Sequence, residues 1–292
     1  ALDPDRIAVN YSEDDPASDG LTHGMFLLLS DMLSSTPYLS KLTSAAPIIA
    51  SLRGRKTSSE IALIRAAVER TQEGIEELSQ MIRPGVTDEE IADFLHRFAD
   101  DNGYGTAWDR AYCPVVTVGP DSAFGHAMPS GLTAETGCLV HIDFGISRRG
   151  FVSDLQRTWY LSGGEETPPE VDAAWHAVTE ALEAGRAALK PGARGWEVDA
   201  AARETLVGAG YSEYMHAFGH QVGRSAHDGA TVLGPKWERY GSSIDGVIEA
   251  GNVFAIELEV IVPERGIVSR EENVVVTENG AVYLGAPQER LW

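Results

Sequence analysis

The sequence predicts an α+β fold built from two similar halves, and two observations predict it. The first is an internal repeat: the stretch 83–91 matches 190–198, with Pro84 answering Pro191, Glu90 answering Glu197, Gly103 answering Gly210 and Tyr104 answering Tyr211 at one constant offset. The second is a pair of β-hairpins, one after each copy, whose acidic residues stand among β-branched and aromatic neighbours. A ligand cleft between two such halves is expected.

The 292 residues, 43% of them hydrophobic, can bury a large core, as one domain or as one domain with an appendage. A formal net charge of −21 disfavours nucleic acid and anionic membrane as partners and favours cation capture. Cys113 and Cys138 are too few for a disulfide framework, so a reducing compartment, the cytoplasm by default, is expected. No apolar run is long enough to span a bilayer, and the first residues lack a basic region followed by an apolar one.

Residues 1–50 are mixed in character and read as an N-terminal appendage to a catalytic region over 51–292. From Thr57 the chain turns helical. Thr57 and Glu60 have capping-box spacing, Ile61, Ile64, Val68, Ile75, Leu78 and Ile82 form one stripe, and Pro84 and Gly85 end it. In each copy of the repeat a helix starts after Pro-Gly and ends at Gly-Tyr, and glycine-containing, strand-rich sequence follows.

In the first hairpin, strands over 138–145 and 151–161 with a four-residue loop at 147–150 would set Asp143 opposite Asp154. In the second, a loop at 263–265 pairs Val262 with Gly266 and sets Glu257 opposite Glu271. Directly opposed like charges about 5 Å apart at Cβ destabilise a sheet. Any one of these acids reads as a solvated strand residue, but four at matched positions in two halves call for a cation. Paired metals bridged by carboxylates suit that spacing.

His216, His220 and His227 fall in one glycine-rich segment, where Gly219 and Gly223 argue for strand and loop over helix. His126 has a loop-like context. His23, His96, His141 and His176 read as structural, with His141 on the same side of its strand as Asp143 and so a candidate neighbour of the metal shell.

In order along the chain stand His141-Ile142-Asp143-Phe144-Gly145, Ser153-Asp154-Leu155-Gln156-Arg157-Thr158, the His216 to Gly223 segment with His227, Ala255-Ile256-Glu257, and Arg270-Glu271-Glu272-Asn273. This ordered pattern resembles the two-metal peptidases that include prolidase, aminopeptidase P and methionine aminopeptidase, with the prolidase and aminopeptidase P branch the better match. The resemblance implies the pita-bread fold, two pseudo-symmetric halves around a curved antiparallel sheet, with residues 1–50 a remnant of an N-terminal domain. It implies two divalent ions, Mn²⁺ first and Co²⁺ or Zn²⁺ next, held by Asp143, Asp154, His220, Glu257 and Glu271, with Asp154 and Glu271 bridging. It further implies that His126, His216 and His227 contact substrate or steady the reacting carbonyl, and it implies a homodimer; with metals in place Glu257 is expected to transfer the proton and His227, with His126, to stabilise the oxyanion.

The implied activity is cleavage before proline in short proline-containing peptides: Xaa-Pro dipeptidase first, aminopeptidase P activity on longer peptides second. A hydrolase of a non-peptide small molecule and a peptide-binding scaffold are the rivals, but the creatinase branch lacks the metal set, scaffold relatives typically lose ligands, and none is lacking here. Three positions depart from the usual pattern: Gln221 for glycine, Leu258-Glu259 for Pro-Gly, and Ser269 where an arginine often binds substrate. Arg224 or Arg270 is expected to take over recognition of a substrate carboxylate. Trp108, Phe124 or Tyr214 is expected to line a proline pocket.

Overall fold

The structure, a computed structural model, describes residues 3–13, 15–122 and 128–292. Near the N-terminus β1 (Ile7–Val9) pairs in parallel with β2 (Leu42–Ser44), and α1 (His23–Leu33) lies between them in sequence. The Thr22 hydroxyl caps α1 by accepting from the Met25 N–H, yet α1 buries none of its residues. α2 (Ala46–Gly54) runs through positions 50 and 51, and its Arg53 reaches the buried carboxylate of Asp228. No helix of the described residues is long and apolar enough to cross a membrane.

α3 (Ser58–Ser79) starts with the expected capping box of Thr57 and Glu60 and buries Ile64, Val68, Ile75 and Leu78. It stops at Ser79, before Pro84, so Ile82 packs from outside the helix. α4 (Asp88–Asp101) ends at a turn. In the same way α5 (Pro169–Ala188) precedes α6 (Gly195–Gly208), whose limits lie at the repeat offset from those of α4. Glu90 and Glu197 accept from the backbone N–H of Thr87 and Arg194 at 3.0 and 2.8 Å. Gly85 and Gly192, with φ of 97° and 90°, turn the chain into these helices by a conformation that other residues rarely adopt. The sequence repeat is therefore a repeat of structure.

The strands are β3 (Gly105–Thr106), β4 (Val115–Val118), β5 (Leu139–Phe144), β6 (Ile146–Arg148), β7 (Phe151–Val152), β8 (Leu155–Tyr160), β9 (Gly219–Gln221), β10 (Val232–Leu233), β11 (Val253–Val262), β12 (Gly266–Thr277) and β13 (Gly280–Tyr283). β3, β6 and β7 form a small sheet, while the main sheet runs β10-β9-β11-β12-β8-β5-β4 with β13 on β12. Its centre is symmetric in pattern. β9-β11-β12 comes from one half and β8-β5-β4 from the other, and the halves meet at one paired position, Glu271 opposite Gln156. Buried Arg157 reinforces this sparse seam: its Nη1 donates to the carbonyls of Gln156 and Glu271 at 2.8 and 3.0 Å.

Alternation then sorts the side chains. Phe254, Ile256, Leu258 and Val260 of β11 and Val140, Ile142 and Phe144 of β5 belong to the two apolar cores that the helices cover. Glu257, Glu259, His141 and Asp143 go to the other face, into a cavity. The fold thus stacks helices on one side of the sheet and gathers acids on the other.

The second hairpin has the expected register, with Val262 opposite Gly266 and Glu257 opposite Glu271. The first does not. Its turn is two residues, Arg149 and Gly150, both at positive φ (51° and 77°), so Arg148 pairs with Phe151 and Asp143 stands opposite Gln156 instead of Asp154. A two-residue turn with both φ positive matches the twist of its strands, which a four-residue reading of Ser-Arg-Arg-Gly overlooks. Asp154 instead lies between β7 and β8, opposite Gly145, where the Ser153 carbonyl would come within 2.0 Å of any Cβ. Because the slip is two residues, it leaves every side chain on its face, and Asp154 stays a diagonal neighbour of Asp143.

Candidate metal centre

One cavity of about 380 Å³ collects Asp143, Asp154, His216, His220, His227, Glu257 and Glu271, seven of the nine expected site residues. The expected His126, and Phe124 of the proposed proline pocket, lie outside the described residues.

His220 comes from β9, which pairs with β11 so that His220 stands opposite Ala255, two residues from Glu257. Its Nδ1 lies 2.9 Å from the Ala226 carbonyl, which assigns the ring proton to Nδ1 and leaves the Nε2 lone pair free. Nε2 faces Asp154 Oδ2, Glu257 Oε1 and Glu271 Oε1 at 3.8, 3.9 and 3.9 Å. One ligand atom from each of Asp154, His220 and Glu271 fits within 4.8 Å of the others. Asp143 and Asp154 come within carboxyl-to-carboxyl hydrogen-bonding reach. The Asp154 N–H donates to Asn273 Oδ1 at 2.9 Å, which fixes the gap between β7 and β8.

Burial pushes the carboxyls of Asp143, Asp154 and Glu271 well above the usual range, and repulsion among neighbouring carboxylates adds to it. Glu257 is pushed up to about 8, first by burial and then by Asp143. Burial, with His227 adding, drives His220 down to about 3, so its imidazole is neutral. Among the described residues, Asp143 Oδ1 and Glu271 Oε2 are buried with no hydrogen-bond partner. Four crowded carboxylates, two orphaned oxygens and one neutral imidazole make an oxygen-rich donor set that fits divalent cations.

Several neighbours tune this cluster. Gln156 Nε2 donates to Glu257 Oε2 at 2.8 Å, and its Oε1 accepts from the Ser269 hydroxyl and from His141 Nε2, the latter at 3.1 Å. Tyr214 lines the same cavity as Glu257. His141 is thus a neighbour of the acid cluster, as expected, and burial drives it down to about 4. The ring of His227 lies against that of His220, tilted by 33°, with centroids 4.1 Å apart. Beneath this segment Asp228 receives Arg53, the Arg224 N–H and Lys56 Nζ, which pins the loop that carries His227.

The expected arginines are not in the cavity. Arg224 packs over the Phe151 ring, 5.0 Å from its centroid. Arg270, next to Glu271 on its strand, points to the opposite face, where it meets Thr179 and Trp175 of α5. Gln221 likewise faces away from the cavity, and its Oε1 accepts from the Thr231 N–H, so the departure at 221 is a packing feature. Trp108 and Tyr214 do line the cavity. Gln156 and Glu259 were not anticipated as site residues. Their parity with Asp154 and Glu257 along their strands is the signal that marks them.

A family model described as metallopeptidase family M24 matches residues 62–278. The chain is 31% identical over 245 residues to the Xaa-Pro dipeptidase of Pyrococcus furiosus, covering 84% of this chain and 66% of that protein. It is 28% identical over 265 residues to an uncharacterised peptidase of Bacillus subtilis, covering 90% and 69%. The chain thus spans about two thirds of the length of these curated relatives. Among solved structures, an X-Pro aminopeptidase from Thermotoga maritima superposes with a TM-score of 0.78 at 26% identity, covering 94% of this chain and 74% of that one. An Xaa-Pro dipeptidase from Bacillus anthracis gives 0.77 at 29%, covering 94% and 72%. With these neighbours, the two-halved sheet and its covering helices are the pita-bread fold.

Proposed function

The chain belongs to metallopeptidase family M24, and we propose that it cleaves the peptide bond before proline in short peptides, with Xaa-Pro dipeptidase activity first. The observation that carries this reading is the gathering of Asp143, Asp154, Glu257, Glu271 and neutral His220 around one cavity. In this reading those five residues would hold two divalent cations, and the hard oxygen set would favour Mn²⁺ over Co²⁺ or Zn²⁺. When bound, the cations would acidify a water molecule and polarise the scissile carbonyl.

The chain's own groups do the rest. Glu257, steadied by Gln156, takes the proton of the attacking water and returns it to the leaving nitrogen. His227, with His126, donates to the developing oxyanion, and His216 contacts substrate. A homodimer and a cytoplasmic location complete the proposal.

A second reading, cleavage of longer Xaa-Pro peptides, draws support from the walls. Among the described residues lining the cavity there is no Lys or Arg to receive a dipeptide's terminal carboxylate. The test joins metal analysis of chelator-free protein to kinetics on Xaa-Pro dipeptides and on longer Xaa-Pro peptides. Two metals per chain and cleavage at the Xaa-Pro bond are expected. A fully metal-loaded protein that cleaves neither class would overturn the peptidase reading.

A further inference from the structure

The cavity holds one carboxylate more than the metal centre uses. Glu259 follows Glu257 by two residues on β11, so it projects from the same face about 7 Å further along the strand. It stands opposite Ser269, but the Ser269 hydroxyl is taken by Gln156. Among the described residues Glu259 has no hydrogen-bonding or ion-pair partner, and it is half-buried in the cavity wall. The eight residues outside the description contain no Lys or Arg, and no described Lys or Arg lines the cavity. Four carboxylates balance the charge of two divalent cations. The fifth remains uncompensated, and a half-buried carboxylate without a partner is costly to keep.

We infer that Glu259 is a specificity-determining residue whose carboxylate receives an ammonium group of the substrate beside the scissile bond. This rests on the peptidase reading above. The ammonium has two possible sources, the peptide's own N-terminus or a lysine side chain, and either offers the charge-assisted hydrogen bonds that Glu259 lacks.

Two sets of probes separate these sources and test the inference: hydrolysis of Lys-Pro, norleucyl-Pro and N-acetyl-norleucyl-Pro, and calorimetric binding of lysinamide, norleucinamide and N-acetyl-norleucinamide, by metal-loaded wild type and Glu259→Gln. If the amine is lysine's, wild type favours Lys-Pro over norleucyl-Pro by about tenfold through KM, and Glu259→Gln removes that preference. If it is the N-terminus, Glu259→Gln raises KM for norleucyl-Pro by about tenfold and N-acetylation then costs the variant little. Glu259→Asp, which keeps the charge, should retain the preference in either case.

A wild type that binds the three amides equally would overturn the inference without recourse to any variant. So would hydrolytic preferences identical in wild type and a folded Glu259→Gln. Amide binding that follows the ammonium while neither these dipeptides nor longer Xaa-Pro peptides are cleaved would remove the peptidase reading and leave the role of Glu259 standing.

Discussion

At the scale of residues, the Glu257 carboxylate is held by Gln156 Nε2, which donates to Oε2 at 2.8 Å, while its other oxygen looks toward His220. Gln156 is itself oriented, because its Oε1 accepts from both His141 and Ser269. Such outer hydrogen bonds fix the direction of a reacting group without touching substrate. Gln156→Ala is therefore expected to lower kcat by about 10–100-fold while the metal content of the purified protein stays near wild type. Steady-state kinetics with metal analysis checks this. An unchanged kcat would mean that Glu257 is positioned without Gln156.

At the scale of elements, β8 and β12 join the two halves through one ladder pair, Gln156 and Glu271, and through the Thr158 hydroxyl, which donates to the Ser269 carbonyl at 2.8 Å and accepts from the Ser269 N–H at 3.1 Å. Arg157 adds to both. Its guanidinium donates to the Gln156 carbonyl on its own strand and to the Glu271 carbonyl across the seam, and pairs with buried Glu272 at 3.0 Å. Arg157→Ala removes all of these and leaves a buried carboxylate poorly paired, so a loss of about 3–5 kcal/mol is expected in denaturant unfolding. A loss under about 1 kcal/mol would show that the other bonds across the seam and the packing hold the halves together without Arg157. The seam was hidden in the sequence because it joins residues more than a hundred positions apart. By contrast, α4 and α6 were legible from Pro-Gly, glutamate and Gly-Tyr signals that act within one turn. The hairpin of Glu257 and Glu271 was legible too, since its short loop fixes the register. The register of Asp143 was misread because Arg149 adopts a left-handed conformation more often filled by glycine or asparagine. The acid cluster survived that error because strand parity, unlike register, is unchanged by a slip of two. The same parity places Arg270 on the far side from Glu271, so the carboxylate-binding role expected of it fails at the level of alternation.

At the scale of the whole molecule, a chain of net charge −21 concentrates five more or less buried acids on one side of its main sheet, and that arrangement couples stability to protons and to metal. In metal-free protein Glu257 is raised from 4.5 to about 8 and Glu259 to about 7, both first by burial. A carboxyl raised on folding binds more protons in the native state than in the unfolded one, so its contribution is present below the unfolded value and lost as pH rises through the folded value. His220 and His141 work the other way, being lowered from 6.5 to about 3 and about 4, so they favour the native state as pH rises toward 6.5 and contribute no slope above it. The two trends oppose each other in mild acid, and between pH 6.5 and 8 the carboxyl trend acts alone among these groups. Thermal melts in EDTA should therefore show a melting temperature that falls from pH 6.5 to 8, with a shallower fall in Glu257→Gln. Added Mn²⁺ should raise the melting temperature most at pH 8, since cation binding displaces the protons that the acids would otherwise hold. A metal-free melting temperature that climbs across this window, or an Mn²⁺ shift that shrinks toward pH 8, would mean that the crowded carboxyls do not govern the site's charge.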